Sequence, residues 1–367
     1  MERKRYPFID NIRWVVVLLV LLYHVFYNYN TLGVFGGIGG FKPNQWQDIV
    51  CTLLNPWFMP LLFVVAGASS RYALQHHTTK EFRIERRRKL LIPSTLGIVV
   101  FGWMLGMINM ANANVELPEG MPGWVIYLIS LPSGTAHLWF IQDLFGFSLL
   151  LLLVRKVIDV ERVDKWLTTL PKYGIVLVLV GVFTLLYTTS LTQIDNPTAA
   201  MGLLNLYRPI FYFATFLLGY YIFSSEAIHD YLASKAKVLV VLAIMSATAF
   251  GIRYYGVDYT LPSVVQSPLC ALFCWTAILA MFGGFKRWAD RTSNFTSYMA
   301  RSSFGLYIVH MTVCSATCIL LKSSALPVWS IYTITIATTY VGSLLLWELL
   351  RRIPLVRWCV FGIKSGK

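Results

Sequence analysis

The chain has 367 residues, 57% of them hydrophobic and only 13% charged, with a formal net charge of +14. A soluble domain carries about 25% charged residues, and the apolar residues here fall in runs near the ~20 needed to cross a bilayer. Composition therefore excludes an ordinary soluble domain and predicts an all-α polytopic membrane protein, a single integral-membrane domain over residues 1–367.

The first apolar run is FIDNIRWVVVLLVLLYHVFYN, Phe8 to Asn28. It has a charged start but is long and lacks a small-residue cleavage site, so it reads as a retained helix and not as a signal peptide. Nine further helices are expected in chain order. Together the ten lie near 12–29, 49–74, 90–110, 135–154, 173–191, 204–223, 238–255, 263–283, 303–321 and 328–350. The longest outer loop is expected from Ala111 to about Gly134, carrying Glu116 and Glu119. An even count puts both termini on one side. With that side cytoplasmic, all but Lys42, Arg208, Arg253 and Lys322 of the 31 basic residues fall inside, as membrane orientation requires. The net charge then needs no nucleic acid; orientation and attraction to anionic lipid headgroups account for it.

Within the first helix, Arg13 and His24 are eleven positions apart, about 20° around the axis and roughly 16 Å along it. Asp10 and Asn28 fall about 40° to either side of His24. One narrow face is thus polar and should turn inward, toward other helices or a water-filled passage. Asp10 is expected to pair with Arg13, three positions on. Arg13 sits near the cytoplasmic surface and His24 deep in the membrane. A neutral imidazole takes a proton from a hydroxyl near pH 6.5, which neither Arg nor Asn does. A structural histidine bonded to a neighbouring carbonyl is the plainer alternative.

The second polar concentration is FRIERRRKLLIP, Phe82 to Pro93, at the cytoplasmic start of the third helix. Arg83, Arg86, Arg87, Arg88 and Lys89 crowd seven positions. Orientation explains some of these. The density also suits a phosphate-rich ligand, because Arg presents a planar fork to phosphate oxygens. Farther on, GTAHLWFIQDLFGF places His137, Trp139, Gln142 and Asp143 in the fourth helix, and SSFGLYIVHM places His310 in the ninth. Structural roles stand open for each, and Trp139 also suits an interface anchor. Six cysteines sit mostly in apolar runs without zinc spacing and read as packing residues.

These residues resemble the membrane acyltransferase-3 family. Arg13, ten residues, then His24 is similar to its first-helix signature, and Arg83 and Arg87 reproduce an Arg-x3-Arg spacing. HLWF (His137 to Phe140), SSFGLYIVH (Ser302 to His310) and the closing LWELLRRIPLVRWCVFGIK (Leu346 to Lys364) resemble later stretches, the last in the glucan-biosynthesis protein C branch. The resemblance implies transfer of an acyl group from cytoplasmic acyl-coenzyme A to a hydroxyl of an extracytoplasmic glycan, without a metal. The branch implies O-succinylation of periplasmic glucans at a bacterial inner membrane, with acetylation open beside it.

On this reading His24 is catalytic, either as the general base on the acceptor hydroxyl or through a transient acyl-histidine, with Asp143 as its expected partner. Arg13, Arg83, Arg86, Arg87 and Arg88 are candidates for the acyl-coenzyme A phosphates. Asn28, His137, Trp139 and His310 are candidates for the acceptor. A transporter or flippase with an internal His/Arg path is the competing reading.

Overall fold

The computed structural model describes residues 6–32, 37–112, 115, 117–192 and 207–363. Helix makes up 78% of them and no strand occurs among them, so the chain is all-α. In chain order the helices are α1 (Pro7–Asn28), α2 (Ile49–Leu54), α3 (Phe58–His76), α4 (Thr79–Arg86), α5 (Trp103–Asn112), α6 (Gly123–Ser133), α7 (Trp139–Val154) and α8 (Val160–Thr169). They continue as α9 (Lys172–Ser190), α10 (Pro209–Tyr221), α11 (Glu226–Tyr254), α12 (Pro262–Val265), α13 (Pro268–Trp288), α14 (Asn294–Lys322), α15 (Val328–Leu350) and α16 (Pro354–Cys359).

Seven of the helical stretches among the described residues are long and apolar enough to cross a membrane: Pro7–Asn28, Trp46–His76, Lys172–Ser190, Glu226–Tyr254, Pro268–Trp288, Asn294–Lys322 and Val328–Leu350. Four shorter apolar stretches accompany them, Ile98–Ala111, Gly123–Ser133, Trp139–Val154 and Pro209–Tyr221. The 22 residues of α1, at ~1.5 Å each, reach about 33 Å, enough for the ~30 Å hydrocarbon core.

Three expected elements differ. The helix expected at 49–74 is interrupted between Leu54 and Phe58, where Pro56 lacks an N–H and its ring clashes with the preceding turn. The helix expected at 90–110 is broken. A π-helical turn, Arg87–Leu91, closes through Ile92 N–H to Arg87 O at 3.0 Å. Pro93 follows, then a second π-helical turn, Ile98–Gly102, and α5. The long loop expected between Ala111 and Gly134 contains α6. Glu116 of that loop and residues 204–206 of the sixth expected helix lie outside the described residues.

The chain forms two compact units. One comprises Met1–Val16, Thr52–Ile84 and Gly146–Ala300, the other Val17–Cys51, Glu85–Phe145 and Arg301–Lys367. In the first, Phe8 N–H donates to Asp290 Oδ1 at 3.3 Å. Asn11 donates to the carbonyls of Ala289 and Arg291 at 2.7 and 3.0 Å, fixing the start of α1. Helices α3 and α10 touch backbone to backbone: a Cβ on Gly67 would lie 2.0 Å from Phe216 O, and one on Gly219 2.0 Å from Val64 O. Such contacts are how helices associate where lipid supplies no hydrophobic drive.

The second unit uses the same device. A Cβ on Gly106 of α5 would lie 1.8 Å from Ser130 O of α6. Val25, Tyr29, Cys314, Cys318, Ile331 and Tyr332 form a buried core across α1, α14 and α15. Beside it, Gln45 Nε2 donates to Asp48 Oδ1 at 2.8 Å and to the Tyr332 hydroxyl at 3.0 Å. All six cysteines are buried, and none forms a disulfide.

Candidate active site

In the second unit three imidazoles meet. His24 comes from α1, His310 from α14, and His137 from the 3-10 turn Ala136–Leu138 that leads into α7. Ring centroids of His24 and His310 are 4.9 Å apart, those of His137 and His310 5.0 Å. His310 is 0% and His137 6% exposed. His310 Nε2 lies 3.1 Å from His24 Nδ1.

Backbone carbonyls only accept hydrogen bonds, and this sets the tautomers of the neutral rings. His310 Nδ1 lies 2.8 Å from Tyr307 O and 3.2 Å from Leu306 O, so Nδ1 carries the hydrogen and Nε2 is left an acceptor. His24 Nδ1 lies 2.8 Å from Val20 O and carries a hydrogen likewise, shared with the His310 Nε2 acceptor. The free lone pair of His24 therefore sits on Nε2, which makes no hydrogen bond among the described residues. A base whose other nitrogen is held by a second group is the arrangement that activates hydroxyl nucleophiles. His137 Nε2 donates to Ile308 O at 2.9 Å, and the Tyr307 hydroxyl donates to His137 O, tying the turn to α14.

Asn28 lies one turn beyond His24. Its side-chain amide donates to His24 O at 2.9 Å and to Cys314 Sγ at 3.4 Å, fixing the end of α1 against α14. The expected partner of His24 was Asp143; the ring nitrogen is met by His310 instead. Asp143 Oδ2 is buried without a hydrogen-bond donor among the described residues, and its carboxylate lies within electrostatic range of Tyr307. Trp139 is half-buried at the start of α7, edge-on to Phe140.

A small cavity of about 10 Å³, room for about one water, adjoins the cluster. Pro93, Gly97, Gly134, His137, Ile308 and Val360 are among its walls. Arg86 ends α4, while Arg87 and Arg88 lie in the π-helical turn a few residues before Pro93. Arg87 is exposed; Arg86 and Arg88 are half-buried. Lys89 pairs with Glu85 at 2.5 Å. A π turn widens the helix by one residue and recurs at functional sites.

The two remaining expected basic residues belong to the first unit. Arg13 Nη1 lies 3.2 Å from Asp10 Oδ1, the pairing expected, and Nη2 donates to Ser69 Oγ at 3.0 Å. Arg83 is exposed on α4. Single-helix periodicity finds Arg13, His24 and Asn28 but not the meeting of His24 with His310. The faces of α1 and α14 are matched only by packing.

The family model described as an acyltransferase domain, of the acyltransferase-3 type, matches residues 6–348. No curated protein and no solved structure matches the chain.

Proposed function

Since the chain belongs to the acyltransferase-3 family and is a membrane acyltransferase, we propose that it moves an acyl group from cytoplasmic acyl-coenzyme A to a hydroxyl of an extracytoplasmic glycan. The observation that carries the reading is the pair His24–His310, with a free basic nitrogen on one ring and a positioning contact at 3.1 Å on the other. The acceptor hydroxyl gives its proton to His24 Nε2 as its oxygen bonds to the thioester carbonyl carbon. The carbon–sulfur bond then breaks, and the leaving thiolate takes the proton back from His24. The products are an O-acyl ester and free coenzyme A. General base catalysis of this kind contributes about 10²–10⁴-fold.

As His24 turns cationic, its Nδ1–H points at His310 Nε2, which stabilises the charge. His310 thus takes the positioning role expected of Asp143. Of the arginines expected to hold the phosphates of the acyl donor, Arg86, Arg87 and Arg88 lie in the same unit as the histidines and take that role; Arg13 and Arg83 are candidates from the sequence alone. Asp143, His137, Trp139 and Asn28 border the acceptor side. The glucan-biosynthesis resemblance favours a succinyl or acetyl group on a glucan, at a bacterial inner membrane, with both termini cytoplasmic.

The test is mass spectrometry of envelope glycans from cells with and without the protein. Ester-linked acyl increments present only with the protein support the reading. Glycans identical in the two strains, with acyl-coenzyme A consumed in neither, contradict it.

A further inference from the structure

The chain's last helix, α16, ends in a glycine cap. Ile363 N–H donates to Arg357 O and Gly362 N–H to Trp358 O, both at 3.1 Å. Gly362 has φ +60°. The Gly362–Trp358 bond with its left-handed glycine is the αL cap, here with a wider bond from Ile363 beside it. The capped turn seats on the basic π-helical turn, where a Cβ on Gly362 would lie 2.3 Å from Arg88 O. It also touches the start of the broken helix, where a Cβ on Gly97 would lie 3.0 Å from Cys359 O. Phe361 is held edge-on to Trp347 at 4.7 Å. One strap, 354–363, thus spans from the arginine turn to the cavity beside His137, which Val360 lines.

The strap brings its own arginine. Arg357 bonds through its carbonyl to Ile363, next to the glycine that rests on Arg88. The Nε atoms of Arg88 and Arg357 are both buried, and neither has a hydrogen-bond partner among the described residues. No carboxylate pairs with either side chain there. A buried Nε–H donor without an acceptor is costly unless a partner completes it, and two such donors on half-buried arginines suit an anion. We propose that Arg357, delivered by the C-terminal strap, forms with Arg88 a clamp for phosphoryl groups of the acyl donor. The clamp sits on the strap whose Val360 lines the cavity by His137. This inference rests on the acyl-coenzyme A reading above and adds a residue from the opposite end of the chain.

The test compares acyl-coenzyme A with S-acyl-pantetheine, which lacks every phosphate, in membranes carrying wild type, Arg357→Gln or Arg357→Lys. Arg357→Gln raises KM for acyl-coenzyme A about tenfold or more, the worth of a charged hydrogen bond, and leaves KM for S-acyl-pantetheine and both kcat values unchanged. Arg357→Lys, which keeps the charge but not the fork, falls between. Equal losses with both donors, or no change with either, overturn the clamp.

A second arm reads binding of free coenzyme A to purified protein by calorimetry and needs no turnover. Weaker binding in Arg357→Gln with an unaltered size-exclusion profile supports the clamp; unaltered binding overturns it. Wild type that binds coenzyme A but transfers from neither donor overturns the acyl-transfer reading and leaves the binding arm to judge the clamp. Wild type that does not bind coenzyme A overturns both.

Discussion

At the scale of residues, carbonyl oxygens within α1 and α14 decide which imidazole nitrogen is basic. His310 Nδ1 faces two such carbonyls, so its Nε2 is free to receive the Nδ1–H of His24. Replacing His310 by Ala removes that acceptor without touching the reacting nitrogen. The expected result is a kcat lowered at least about tenfold with KM for the acyl donor unchanged; steady-state kinetics at varied acyl-coenzyme A checks it. A raised KM with full kcat would place His310 in binding. Gly362 belongs to the same scale. A methyl group there meets Arg88 O at a φ that only glycine adopts freely, so Gly362→Ala displaces the strap and raises KM for acyl-coenzyme A, read in the same assay. The sequence makes His24, His137 and His310 visible one at a time, because each interrupts an apolar run. Their convergence is invisible there, since no pattern within one helix states which neighbour it faces. Arg357 is hidden for another reason: in RRIPLVRWC it is one basic residue among three at a helix end that our reading places in the cytoplasm, where orientation alone explains it.

At the scale of elements, the second unit depends on close backbone contacts. Gly106 of α5 stands against Ser130 O of α6, so Gly106→Val forces the two helices apart. The expected cost is about 1–3 kcal/mol, as for other overpacked sites, read as a lower Tm of the detergent-solubilised protein. Helix α4 has a capping box: Thr78 N–H and Oγ1 donate to Glu81 Oε2 at 2.8 and 2.9 Å, and Glu81 N–H donates back to Thr78 Oγ1 at 3.3 Å. The Thr78 backbone N–H first, and its hydroxyl second, hold the Glu81 carboxyl below its ordinary value. A lowered carboxylate value stabilises the folded form above the unfolded pKa and is lost as pH falls through the folded one. Protection of the amides in the first turn of α4, taken relative to the intrinsic exchange rate at each pH, should therefore fall on acidification below about pH 4, and Glu81→Gln should abolish that dependence. Long apolar runs such as Val328–Leu350 are legible to the residue. Helix α6 is not, because Gly123, Pro132 and Gly134 around its apolar core carry the marks of a loop. The broken helix after Arg87 escapes for the converse reason: its apolar content continues through Pro93 while its hydrogen bonds do not.

At the scale of the whole molecule, composition alone establishes a polytopic α-helical membrane protein, and the family match makes it an acyltransferase. The strongly one-sided distribution of Lys and Arg puts both termini in the cytoplasm on our reading, and a C-terminal reporter should be active there and silent outside. A cytoplasmic C-terminus is also what the strap requires, since it lies on the arginine turn where the acyl donor is proposed to bind. The proposed chemistry at His24 joins these levels, because a membrane-embedded base that serves acyl transfer needs a thioester from one side and a hydroxyl from the other. The measurement that tests this most directly is transfer of label from radioactive acyl-coenzyme A to glycan by membranes holding equal amounts of wild type and His24→Ala. The account predicts ester-linked label with wild type and a rate at least about 100-fold lower with the variant. Label accumulating equally fast in both would contradict it.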